Sequence, residues 1–406
     1  YIISFSLIHK KQMLKIFNTE NKLLAFMFFE IFLLPMWSIG PVPFKFSFLI
    51  IIFSLIRKIP KSPFVLPFLL IILLLWVGKI YSYLFFDEIN FTQTIRSTVN
   101  YSLIIAAFLY SKNIKKTGNF NWLVLLALSF AIINISIIII GPSMPSLISF
   151  YALELRLEEG LFFARNPGIA TNPNGSALMG NLILLFWVVS NKFNLVTLKS
   201  KFWDSIVFVS IGIAILSFVS KSGFSAYFLI CLYYFTNKIS LGKLFYSFSI
   251  FLISLFILIN VSNKLDKDDT LILTYGIEQV LNFDEALVNE ANKDPGQDGN
   301  RIVKIQNAMN TFFYSPFFGV GSDRSNGEIL NRTAYHNDWA EILVSTGFFG
   351  FLLYFIIAYR IYKLSVILLV PFIFPGMTNA FIFTMQLPAF YFLFVGVIYK
   401  TQTKLT

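Results

Sequence analysis

Arg332 to Gly350 reads RTAYHNDWAEILVSTGFFG, a polar loop that ends in one of the chain's two histidines and runs directly into an apolar stretch. Steps of four and three residues along it give His336, Ala340, Leu343, Gly347, Gly350 and Tyr354, so helical geometry puts the histidine on one face with two glycines. Small residues on such a stripe let a second helix approach closely in lipid. The spacing predicts a transmembrane helix over 338–359, with His336 at the membrane surface and pointing into a bundle. An ionisable group at a positive helix end beside a long polar loop is a candidate for chemistry. The plainer alternative is an interfacial histidine that caps a transmembrane helix.

Composition carries this reading to the whole chain. Of 406 residues, 56% are hydrophobic and 13% charged, with a mean hydropathy of +0.72, whereas soluble domains carry about 25% charged residues. The expected fold is an all-α integral membrane protein. A lone cysteine, Cys231, excludes a disulfide framework and a thiolate metal site. His9 and His336 are too few for a multi-histidine metal site, so no metal and no cofactor are expected.

Roughly 20 apolar residues cross a bilayer. On that measure spans are expected near 22–39, 46–56, 63–85, 97–111, 120–140, 175–190, 203–219, 223–236, 244–260, 338–359, 364–376 and 379–399. The resulting organisation is 1–260, with nine transmembrane helices and an outer loop over 141–174; 261–337, a large and partly helical periplasmic loop; and 338–406, with three more helices. The first apolar segment runs past any small-residue cleavage site and is expected to act as an uncleaved anchor.

The net charge of +11 follows membrane orientation and not nucleic-acid binding. Short cytoplasmic loops are rich in Lys and Arg, and with both termini inside, the basic residues cluster on the inner side, from Lys10, Lys11 and Lys15 to Lys400 and Lys404. The short outer loops hold Lys45, Arg96 and Lys221, while Lys79 lies within a span. Positive charge in the two long outer segments is not explained by topology.

Those outer cations are the candidate site residues. Arg301 begins an expected helix over 300–313, with apolar positions at Ile302, Ile305, Met309, Phe312 and Phe313, closed by Pro316, Gly319 and Gly321. A cation is the wrong sign for a helix start, and a bound anion would remove the conflict. Lys304 would present a second cation one turn on; the alternative is a solvated pair balanced by Asp294 and Asp298. Arg165 lies in ARNPGIATNPNGSALMGN, just before a helix expected to start at Asn174 or Ser176. A guanidinium holds a diphosphate in bidentate fashion, although a loop arginine can equally be merely interfacial. Arg324 and Arg332 are candidates of the same kind, and Lys221 sits in an SKSG turn where simple snorkelling is the alternative.

Glu30 lies mid-span and needs a partner such as Asn134 or Asn181. Asp266–Lys267–Asp268 matches a short two-carboxylate pattern of metal-dependent glycosyltransferases, yet among Lys264 and Asp269 it reads better as a solvated helix end. P-loop, Ser-His-Asp and dinucleotide patterns are missing from the sequence. A transporter would be expected to pair charges in mid-membrane helices, whereas here the ionisable groups concentrate in outer loops.

His336–Asn337, nine residues, then Gly347 and Gly350, resembles the His-Asn/Ser/Gln, x9, Gly-x-x-Gly signature of the O-antigen ligase and O-antigen polymerase family of bacterial envelope glycosyltransferases. The layout agrees, with Arg165 before an Asn-Pro-Asn stretch and Arg301 upstream of a Pro and Gly-x-Gly. One departure is Lys221, where family members often carry Arg in a Ser-Arg-x-Gly turn. The resemblance implies a multi-pass protein of the bacterial inner membrane with its active site on the periplasmic side. It implies an undecaprenyl-diphosphate-linked oligosaccharide donor and a sugar hydroxyl acceptor, without nucleotide sugar or metal. In this reading His336, Arg301 and Arg165 are catalytic, while Lys304, Lys221, Arg324, Arg332 and Asn337 bind substrate. Polymerase is favoured over ligase because of Lys221 and the Phe- and Ile-rich divergence. Membrane lipid and a chain-length regulator protein are the further partners expected, and nucleic acid is not.

Overall fold

The computed structural model describes residues 22–35, 37–39, 42–55, 63–86, 90–114, 119–140, 143–151, 166–170, 172–198, 200–218, 220–236, 301–323, 325–326, 331–332, 338–373, 381 and 387–403. In chain order these form α1 (Lys22–Leu33), β1 (Trp37–Ile39), β2 (Val42–Phe44), α2 (Phe46–Leu55), α3 (Val65–Phe86), α4 (Thr92–Asn113), α5 (Leu123–Ile139), α6 (Pro145–Phe150), α7 (Pro173–Lys192), α8 (Lys201–Ser217) and α9 (Lys221–Thr236). There follow α10 (Arg301–Tyr314), β3 (Ser325–Asn326), β4 (Asn331–Arg332), α11 (Asp338–Leu364), a 3-10 turn at Val366–Leu369, and α12 (Leu387–Gln402). Helix dominates, and the strands form two small antiparallel pairs, β1 with β2 and β3 with β4.

Among the described residues, three helical runs, Val65–Phe86, Pro173–Lys192 and Asp338–Leu364, are long and apolar enough to cross a membrane by length and composition, the last of them interrupted at Gly347. A 22-residue helix such as α3 is about 33 Å long, close to the thickness of a bilayer core. The expected span at 244–260 lies outside the described residues.

Two expected boundaries move for physical reasons. The span expected at 22–39 stops at Leu33, because Pro35 cannot continue the ladder; the chain then turns into the β1–β2 pair, with Trp37 opposite Phe44 and Ile39 opposite Val42. The helix expected from 97 begins instead at Thr92, so Arg96 belongs to a helix and not to a short outer loop.

The chain divides into two compact units, Tyr1–Pro35 with Lys115–Leu281 and Met36–Ile114 with Asn282–Thr406. In the first, α7 is the central helix, packed on α5, α8 and α9 and buried along most of its length from Ser176 to Ser190. In the second, α12 lies along α4, and α11 packs on α3 and α10. Edge-to-face rings fill the seam between α3 and α12, as with Phe68 and Phe392 at 5.0 Å. Lys400 closes the end of α4 by donating to the carbonyls of Lys112 and Ile114, a cation at the negative end of a helix.

Candidate active site

The apolar run after His336 is not one straight helix. Gly347 has φ 64° and ψ −166°, a backbone region open essentially to glycine alone. In a straight helix Trp339 and Tyr354 would stand about 22 Å apart, yet their ring centroids are 5.2 Å apart, and Trp339 also meets Phe351 and Phe355. The segment 338–346 therefore folds back along 348–364 as a helical hairpin with Gly347 at its apex. Gly350 fits beneath the reversal, where a Cβ would lie 1.8 Å from Thr346 Oγ1.

This corrects the face drawn from His336 through Gly347, Gly350 and Tyr354. The spacing of four and three does not survive the break, and Gly347 serves a backbone reversal, not helix–helix approach. Tyr354 comes back toward the start of α11 by folding. There Asp338 is fully buried, with the hydroxyls of Tyr101 and Tyr354 within its electrostatic reach.

A reversal inside an apolar bundle frees backbone groups that need partners. The segment after α10 supplies them: Val320 N–H donates to the Val344 carbonyl at 2.9 Å, Gly321 N–H to Ser345 at 3.0 Å, and Phe348 N–H to Pro316 at 2.8 Å. Gly319 and Gly321, at φ 75° and 80°, let this segment run flat against its neighbours. A Cβ on Gly319 would sit 2.4 Å from the Thr346 nitrogen, and one on Gly78 of α3 2.7 Å from the Gly321 nitrogen. Ser82 of α3 donates to the Val320 carbonyl at 2.6 Å. Pro316, Gly319 and Gly321 do end the helix, as expected from sequence, but they also build the bed on which the reversal rests.

The segment closes with Asp323, which sequence reading passed over. Its carboxylate accepts from Gln93 N–H at 2.7 Å and from Thr94 Oγ1 at 2.5 Å, and faces Lys79 Nζ at 3.6 Å, with both side chains almost wholly buried. Asp323 thus caps α4 from far along the chain, adding to Asn90, whose side chain accepts from Thr92 N–H at 3.0 Å. The signal was Lys79: a cation in an apolar span calls for a counter-charge.

In the first unit the irregular backbone after Arg165 is held by side chains. Asn166 donates to the Asn134 carbonyl and to Ser217 Oγ, and accepts from Gly168 N–H at 3.0 Å. Asn134 accepts from Ile169 N–H at 3.1 Å, and Ser176 donates to the Pro167 carbonyl at 2.7 Å. Asn172 caps α7 through Asn174 N–H and Gly175 N–H, with Pro173 in the first turn. Next to Lys221, Ser220 donates to Asn174 Oδ1 at 2.8 Å, and Asn181 donates to the Gly223 carbonyl at 2.8 Å. The stretch after Arg165 and the start of α9 are therefore tied to the start of α7. Asn134 and Asn181, expected as partners for Glu30, are committed to these bonds instead; Glu30 is buried within α1.

Of the expected site residues, Arg301 opens α10 and Lys304 lies one turn on. Lys221 opens α9 and so is helical instead of lying in a turn. Arg332 pairs with Ser325 in the β3–β4 register. His336, Asn337, Arg165, Arg324 and the Asp266–Asp268 pair lie outside the described residues.

Residues 176–355 match the family model described as O-antigen ligase. Over those residues the chain is similar to the O-antigen ligase family. The match supports membership of the O-antigen ligase and polymerase family, whose members are glycosyltransferase-like membrane enzymes. It begins in the first turn of α7 and ends in the returning arm of α11, so it takes in Lys221, Arg301, Lys304, Arg324, Arg332, His336 and Asn337 and leaves Arg165 just outside. Comparison with curated proteins gives no match.

Proposed function

We propose that the protein is an O-antigen polymerase that joins undecaprenyl-diphosphate-linked repeat units on the periplasmic face of the bacterial inner membrane. The observation that carries this reading is the family match, whose span holds His336 and all but one of the outer cations singled out by sequence. Support comes from the fold around them: Arg301 heads α10, Lys221 heads α9, and α11 begins two residues after His336.

In this mechanism the acceptor hydroxyl attacks the anomeric carbon of the donor glycan. A carbon–oxygen bond forms, the carbon–oxygen bond to the diphosphate breaks, and the lipid diphosphate departs with the electron pair. Charge grows on phosphate oxygens, so guanidinium groups fixed beforehand lower the barrier; Arg165 and Arg301 fill that role, with Lys221, Lys304, Arg324 and Arg332 binding the anion. His336 accepts the hydroxyl proton, an imidazole being suited to neutral pH, and Asn337 orients the acceptor. About twelve spans with both termini cytoplasmic would put each of these segments on the outer side of the membrane.

Deletion followed by glycan analysis tests the reading. A single repeat unit on lipid A core marks a lost polymerase. The description of the matched family favours a second reading, a ligase that transfers glycan to lipid A core; its loss leaves the core uncapped. Unchanged glycans would sink both and favour a transporter. Transfer is expected to persist in EDTA, and chelator-sensitive activity would restore Asp266 and Asp268 as metal ligands.

A further inference from the structure

We infer that the C-terminal end of α10, with the residues that follow it and the apex of α11, presents an aromatic face to phospholipid acyl chains. Part of the stretch expected as a periplasmic loop, 261–337, is thereby seated in the hydrocarbon of the leaflet that holds the C-terminal end of α3.

α10 is packed the opposite way round from a helix on the surface of a soluble protein. Its small side chains Ala308 and Thr311, with Ser315 just beyond, are buried, while Met309, Phe313 and Tyr314 are exposed and Phe317 and Phe318 follow them. Phe313 is 69% exposed and Phe317 58%. Beside water the large apolar groups would turn inward. In lipid the small residues face the neighbouring helix, since that allows close approach, and the large ones are left to the acyl chains.

Continuity identifies what covers these rings. On α3, Leu66, Leu69, Leu73, Val77, Ile80 and Leu84 are exposed at helical spacing along a helix long enough to cross a bilayer. On the returning arm of α11, Phe349, Leu352, Ile356 and Tyr359 form a second exposed stripe. The end of α10 joins the two. Tyr81 of α3 donates to the Tyr314 carbonyl at 3.0 Å, and Phe86 meets the Tyr314 ring edge-on at 5.5 Å. Phe349 stands 6.0 Å from Phe317 and 5.7 Å from Phe318 between ring centres. The exposed rings thus extend a surface that a membrane-crossing helix already turns to lipid. From Ile305 to Ser322 the chain carries no charged residue. A protein-binding surface has a polar rim, whereas a broad apolar patch that simply continues a lipid-facing one fits the membrane.

The test uses the full-length protein in vesicles of phosphatidylethanolamine and phosphatidylglycerol, free of polyprenyl lipid, with a diazirine on one phospholipid acyl chain. Photolysis and peptide mapping report acyl contact, and hydroxyl-radical footprinting of the same vesicles reports contact with water. Leu73 of α3 serves as the internal reference. Phe313, Phe317 and Phe349 are expected to take lipid adducts as Leu73 does and to resist the radical. Radical labelling of these rings without lipid adducts overturns the inference, because the patch then faces water. Silence with both probes also sinks it, the cover then being protein, from a second copy or another part of the chain. So does loss of the adducts on adding undecaprenyl phosphate, which would make the patch a seat for a polyprenyl chain. A variant gives an independent reading. Phe313→Lys puts a cation at the C-terminal end of α10, neutral or stabilising in water but costly in hydrocarbon. A lower thermal midpoint in the vesicles is expected, and an unchanged or raised one counts against acyl contact.

Discussion

The two units solve one problem, irregular backbone beside candidate site residues, by different means. After Arg165 the carbonyls and N–H groups are met by asparagine and serine side chains, from Asn134, Asn166, Asn172 and Ser176. At the α11 reversal they are met by backbone from another part of the chain, at Pro316, Val320 and Gly321. Side-chain partners tolerate small shifts, because each bond can be re-aimed by a rotamer. Backbone-to-backbone packing against glycine does not, since the approach distance is set by the missing Cβ. The second unit should therefore be the less forgiving of the two.

The largest expected effect asks whether both units serve one reaction. His336→Ala, Arg301→Ala and Arg165→Ala are each expected to lower transfer on the order of 100- to 1000-fold while leaving membrane insertion intact. Equal losses for Arg165 and Arg301, measured in vesicles supplied with lipid-diphosphate-linked glycan, would give both cations a part in the reaction. Full activity in Arg165→Ala would confine the chemistry to the second unit and leave the Asn134–Asn166 network as a purely structural brace.

Next comes Gly347→Ala, the sharpest probe of the reversal. The variant must adopt a backbone conformation that costs about 1–3 kcal/mol for a residue with a side chain, and its Cβ would lie 2.3 Å from the Phe317 backbone. A loss above roughly 3 kcal/mol is expected, read as lower folded yield and thermal midpoint in detergent. A neutral outcome would mean that α11 runs straight and that the glycine was there for helix contact, as the sequence spacing alone had implied.

That difference shows what sequence could convey. The start of α7 was legible because its signals are local: an asparagine cap and a proline in the first turn act on their own helix. α3 was legible because one long apolar run has one cheap arrangement in lipid. The reversal was hidden because Gly347 interrupts a stretch that stays apolar on both sides, and the groups that satisfy it lie upstream beyond the β3–β4 pair. The early start of α4 was hidden for the same reason, its capping carboxylate being Asp323. Of the candidate site, the residue types were readable from charge and motif. The buried contacts of Asp323, Gly319 and Asn166 were not, since each is made far along the sequence.

The smaller effects test the tolerance assigned to the first unit. Asn166→Ala removes the acceptor for Gly168 N–H and a donor to Ser217 and Asn134, and stranding those buried groups is expected to cost about 1–3 kcal/mol. Asn172→Ala strips α7 of its cap; Asn174 N–H and Gly175 N–H lose their acceptor, but Asn174 is half exposed and water can replace the side chain, so about 1 kcal/mol is expected. Thermal midpoints in detergent for Asn172→Ala, Asn166→Ala and Gly347→Ala should fall in that order of increasing damage. Were Asn172→Ala to destabilise as much as Gly347→Ala, the side-chain brace would be as rigid as the backbone one, and the contrast between the two units would lose its physical basis.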